Sequence, residues 1–202
     1  MSQEIKRKLH TIELRLREVA IVLSVMGVLI ERRDASRDVF RQYHGYWDAV
    51  NLSFQTTFFT GIYSLVDDSK NAVSLHQIIG SLKKTKNAVP KSLADNVATI
   101  RNRYKPYRDK VFSHTDISRH TALRLDFEKE KFTREIFVND MSQLEYVHKV
   151  LGHVSRGEPI PECSDFTLLI CPHTLTAIEG ADHTSKMLEA LATALRTSEG
   201  AW

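Results

Sequence analysis

The chain has 202 residues, 42% hydrophobic and 26% charged, with only 8 Gly and 5 Pro. That composition excludes collagenous, low-complexity and loop-rich β proteins, and the length is enough for a core without covalent staples. The formal charge of +3 is a mild basic excess whose distribution matters more than its sum. Two cysteines, Cys163 and Cys171, are too few for a disulfide framework. They read as reduced thiols of a cytoplasmic protein. The longest apolar run, Val19 to Ile30, is about half of the roughly 20 residues needed to span a bilayer, so no membrane association is expected. The charged residues before that run and Glu31-Arg32-Arg33 after it do not fit a signal peptide.

Ile5, Leu9, Ile12, Leu16, Val19, Leu23, Met26 and Ile30 step by three or four, which predicts a helix from about residue 3 to 33. Its second half is apolar nearly all round and should be covered on most sides. A second long helix follows, with Val39, Tyr43, Tyr46, Val50, Phe54, Phe58, Ile62 and Leu65 in step and Trp47 beside them as core. The turn formers Asp67-Asp68-Ser69-Lys70-Asn71 end it. Ser74-Leu75-His76-Gln77 has the form of a capping box for a short third helix. A fourth helix starts near Pro90, carries Leu93, Val97, Ile100, Tyr104, Tyr107 and Val111, and should kink at Pro106.

Between residues 121 and 138, Leu123, Leu125 and Phe127 alternate like a strand. Asp140-Met141-Ser142-Gln143 then looks like a capped helix start, with Leu144, Val147, Leu151 and Val154 as its stripe and Gly157 to Pro161 as its end. A last helix is expected over roughly 175–196. Five to six helices, two of them long, describe an all-α up-and-down bundle. The expected division is a bundle over 1–157 and a C-terminal extension over 158–202.

The densest chemical signal runs from Arg101 to Asp116, with five basic residues in the first ten positions and Tyr104 and Tyr107 between them. Cations attract a polyanion and aromatic faces stack on unpaired bases. The other reading of the same stretch is a solvated helix face whose cations pair with nearby acids. Within it, Arg108-Asp109 is followed by His114, six positions after the arginine. This spacing resembles the Arg-x(4–6)-His signature of the HEPN superfamily. The block Arg108-Asp109-Lys110-Val111-Phe112-Ser113-His114-Thr115-Asp116, together with Tyr46-Trp47-Asp48 and Ser64-Leu65-Val66-Asp67 upstream, is similar to the abortive-infection AbiU-like branch. The likeness covers roughly residues 5 to 155. Ser113 stands where that branch usually has alanine. Asp116 stands where HEPN toxins silenced by nucleotidylation carry Tyr.

The resemblance implies a metal-independent endoribonuclease without a cofactor, active as a homodimer and serving as the toxin of a phage-defence or toxin–antitoxin system with an antitoxin protein as partner. It places catalysis on Arg108 and His114, with Asp109 in support. His114 suits general acid–base work near neutral pH, and Arg108 offers a fork matched to phosphate oxygens. Arg101, Arg103, Lys105, Lys110 and Tyr107 would hold the RNA. On an ideal helix six positions separate two residues by about 120° and about 9 Å, which leaves one motif sparse and favours two motifs meeting across a two-fold axis. The alternative is a bundle of the same kind that binds nucleic acid or a nucleotide, or scaffolds a partner, without cleaving.

Other candidates carry less. Cys163, Cys171, His173 and His183 lack the paired spacing of a structural zinc site, so no metal is expected. His10, His44, His76, His120, His148 and His153 are isolated and default to surface or capping roles. Lys83, Lys84, Lys86 and Lys91 form a second basic cluster that either extends an RNA track or is a solvated loop.

Overall fold

The computed structural model describes residues 2–35, 41, 44–85, 88–111 and 133–161, with 179, 182, 183, 186 and 190. The protein is an all-α bundle, and no strand occurs among the described residues. Five helices are described: α1 (Gln3–Ala35), α2 (His44–Val66), α3 (Leu75–Lys84), α4 (Lys91–Val111) and α5 (Arg134–Arg156). The chain divides into two compact units. Met1–Val19 and Phe58–Leu169 make the first, and Ala20–Thr57 with Ile170–Trp202 make the second. Compactness therefore cuts the chain at other places than the helix end near 157.

The first unit has a dense core. Ile5, Leu9, Ile12, Leu16 and Val19 are all buried, as the three-and-four spacing of α1 requires. They share that core with Phe58, Phe59, Ile62, Leu65 and Val66 of α2, and with Leu75, Ile78, Ile79 and Leu82 of α3. Leu93, Val97, Ile100, Tyr104 and Tyr107 of α4 and Leu144, Val147, Leu151 and Val154 of α5 complete it. α1 and α2 approach so closely here that a Cβ on Gly61 would lie 2.6 Å from Val19 Cγ2. Glycine at position 61 leaves room for the Val19 side chain.

Local chemistry sets the helix ends. Ser74 caps α3, its hydroxyl accepting from Gln77 N at 3.3 Å. The Gln77 amide does not complete a reciprocal box. It donates instead to the carbonyls of Asp68 (3.1 Å) and Ser69 (2.9 Å), tying the preceding turn to the helix. Pro106 lies inside α4 without ending it. α5 begins six residues before the expected Asp140. Thr133 is its cap, accepting from Ile136 N at 3.4 Å. Asp140 is buried mid-helix, where its carboxylate is taken by an arginine of α4. Gly157, at φ 72°, ends α5 by donating to the His153 and Val154 carbonyls.

The second unit differs from expectation. Ile21 to Leu29 are half-buried rather than enclosed, Tyr46 is 56% exposed, and Trp47 is only half-buried. Tyr46 and Trp47 pack edge-on against each other, ring centroids 5.2 Å apart. The spacing identified an apolar stripe correctly, but a stripe does not supply the elements that cover it. The strand-like alternation at Leu123, Leu125 and Phe127 and most of the expected 175–196 helix lie outside the described residues. Residues 179, 182, 183, 186 and 190 are helical.

Candidate nucleic-acid interface

α4 carries the basic stretch, and its 3.6-residue period sorts the stretch into two faces. Tyr104 and Tyr107 turn inward and are almost fully buried. Tyr107 stacks on Phe59 at 5.2 Å with 23° between the rings, and Tyr104 lies 5.7 Å from Phe59. The expectation that Tyr107 offers its face to a base is thereby corrected. Its ring is core, because the spacing that places it among cations also places it in step with Ile100 and Tyr104.

The cations separate in the same way. Arg101 forms an ion pair with Asp68, just beyond the end of α2. Arg103 grips both oxygens of Asp140 on α5, whose side chain is 2% exposed. Beside that carboxylate, burial first and the Asp140 charge second push the Tyr104 phenol far above the ordinary tyrosine range, so it remains protonated. These two arginines thus match the solvated-face reading of the sequence, cations committed to nearby acids. Their first role is to fix α4 against its neighbours.

Arg108 and Lys105 are exposed. The Arg108 guanidinium sits over the ring of Tyr63 with its Cζ 4.9 Å from the centroid, and Tyr63 is 5% exposed. A buried aromatic face holds a guanidinium by cation–π attraction. Tyr63 was not singled out in the sequence because it lies 45 positions from Arg108 on another helix, and no local spacing connects them. Asp109 and Lys110 continue α4, and the helix runs to Val111. His114 and Asp116 lie outside the described residues.

Among the described residues no group of three or more His, Cys, Asp or Glu side chains is placed to hold a metal ion. Of the second basic cluster, Lys83, Lys84 and Lys91 are exposed, and Lys86 lies outside the described residues. No described helix is long and apolar enough to cross a membrane. Comparisons with protein-family models, with curated proteins and with solved structures returned no match.

Proposed function

We propose that the protein is a metal-independent endoribonuclease of the HEPN kind, with Arg108 and His114 as its catalytic pair, and that it acts as a homodimer. The observation that carries this reading is the seating of Arg108, exposed at the end of a basic helix yet held over a buried tyrosine. A guanidinium already held in place by a ring loses little freedom when it binds a phosphate. The residue so placed is the one that the Arg-x5-His resemblance names.

RNA carries its own nucleophile. The 2′-hydroxyl attacks the adjacent phosphorus as His114 accepts its proton, and the imidazolium so formed returns a proton to the departing 5′-oxygen. The products are a 2′,3′-cyclic phosphate and a 5′-hydroxyl end. Arg108 stabilises the negative charge that builds on the non-bridging oxygens. Asp109 or Asp116 orients the imidazole or the guanidinium, and Lys105 and Lys110 hold flanking phosphates. A second copy supplies the second histidine and arginine around one scissile bond. In a cell this chemistry fits a toxin of phage defence or a toxin–antitoxin pair restrained by an antitoxin protein.

A second reading has its own support. Arg101 and Arg103 are already occupied by Asp68 and Asp140, which reduces the cation track and favours a bundle that binds nucleic acid or scaffolds a partner without cutting. Incubation of total RNA with the protein in excess chelator separates the two. The first reading expects fragments ending in cyclic phosphate, lost in His114→Ala. Binding should also weaken by roughly 0.7 log units per phosphate contact per decade of salt. RNA left intact but bound supports the second reading.

A further inference from the structure

The first unit contains a cleft that plays no part in the Arg108 chemistry. It lies between α1 and α5 and has a volume of about 610 Å³, the size of small-molecule sites. Two features mark it as more than a gap between helices.

The first is its floor. Gly152 lines the cleft from the interior of α5, where glycine is a poor helix former. A Cβ there would stand at ordinary contact distance, 3.4 Å, from Arg156 Nη1, and the absence of any longer side chain leaves the helix surface open beneath that guanidinium. Buried Leu9 and the His148 ring continue the floor. His148 Nε2 donates to the Leu9 carbonyl at 3.0 Å, which fixes the ring. Burial holds its pKa below the ordinary histidine value, so the imidazole is neutral at pH 7.

The second is the anion seat at one end. Arg156 grips the carboxylate of Glu158 with a fork, Nε to Oε1 at 2.6 Å and Nη2 to Oε2 at 2.6 Å. His153 Nδ1 lies 3.3 Å from the same carboxylate. The pairing lowers the Glu158 pKa and raises that of Arg156. Glu158 follows the helix end and is 42% exposed, so it can swing away from this seat. The acids inside the cleft are already matched, Glu13 with Arg17 and Glu145 with Lys149. Lys6 has no acid partner among the described residues, and the surplus charge is therefore positive.

We propose that this cleft binds a small organic carboxylate with an apolar body, whose carboxylate displaces Glu158 from Arg156 and His153 while its body lies over Gly152 and Leu9. Glu158 is then an internal competitor that mimics the ligand's head. This assignment is independent of whether the protein cleaves RNA.

Calorimetric titration of the full chain tests it with three probes: 2-naphthoate, the uncharged 2-naphthol, and inorganic phosphate, which has charge but no apolar body. The expected result is saturable binding of 2-naphthoate, about tenfold tighter than 2-naphthol, because a forked carboxylate contact is present in only one of them. Phosphate should bind more weakly than 2-naphthoate. Glu158→Gln should tighten 2-naphthoate by about threefold, the size expected from removing an exposed ion pair. Gly152→Leu, with its helical circular dichroism intact, should abolish binding. Equal affinity for 2-naphthoate and 2-naphthol, absence of saturation, or no gain in Glu158→Gln would each overturn the proposal. The last variant alters only an exposed side chain, so a folding defect does not obscure its result.

Discussion

From Phe58 to Val66, α2 buries Phe58, Phe59, Ile62, Leu65 and Val66 almost completely, whereas from His44 to Thr57 the same helix leaves Tyr46 and Leu52 exposed and Trp47 and Phe54 half-buried. Both ends are apolar, and both show the three-and-four spacing. They differ in what packs on them. Phe59 meets Tyr104 and Tyr107 of α4 and Phe137 of α5, and Phe58 meets Phe137 at 4.9 Å, so several rings share one enclosure. Tyr46 and Trp47 meet edge-on at the less buried end. Periodicity identifies which side of a helix is apolar. Burial depends on how many other faces reach that side.

Substitutions at the two ends sharpen the comparison. Phe59→Ala should cost about 3–5 kcal/mol, the loss of a large enclosed aromatic and the cavity it leaves. Tyr46→Ala, at the exposed end, should cost under about 0.5 kcal/mol. Urea denaturation of both variants measures the gap, and similar costs would mean that the two ends are equally covered in solution. Asp140→Ala should follow at about 2–4 kcal/mol, because it leaves Arg103 without its carboxylate at a partly buried site. A loss under about 0.5 kcal/mol would show that solvent satisfies Arg103 without Asp140.

A smaller effect comes from His148. Its pKa is lowered in the folded state, chiefly by burial, while the unfolded chain titrates near the ordinary value of about 6.5. Below that pH the unfolded chain binds a proton that the folded chain resists, so stability falls as pH drops. Denaturation between pH 7.5 and 5 should show this slope, and His148→Gln should flatten it. An unchanged slope in the variant would assign the acid sensitivity to other groups.

Much of the fold was legible. The α1 stripe from Ile5 to Val19, the cap at Ser74 and the stop at Gly157 all follow from local rules acting over a few residues. What failed to show depends on distant partners. Asp140 resembles a helix cap in its local setting, yet Arg103, on another helix, claims its carboxylate. Tyr107 sits among cations in the sequence and among rings in the core. Of the candidate site, Arg108 was visible through a motif, but Tyr63, which holds it, was invisible because only the tertiary fold brings α2 and α4 together. The cleft between α1 and α5 was missed for the same reason. His148, His153 and Gly152 look unremarkable until α1 lies across them.

Mixing inactive variants is the most direct test of the proposed catalytic site shared between two copies of the chain. Arg108→Ala and His114→Ala proteins are each assayed with labelled RNA in chelator, then combined and allowed to exchange subunits. The account predicts that wild type cleaves, that each variant alone is inactive, and that the mixture regains part of the activity, since a heterodimer retains one intact arginine and one intact histidine on opposite copies. A wild-type protein that leaves RNA intact, or a mixture that forms heterodimers and remains inactive, would contradict it.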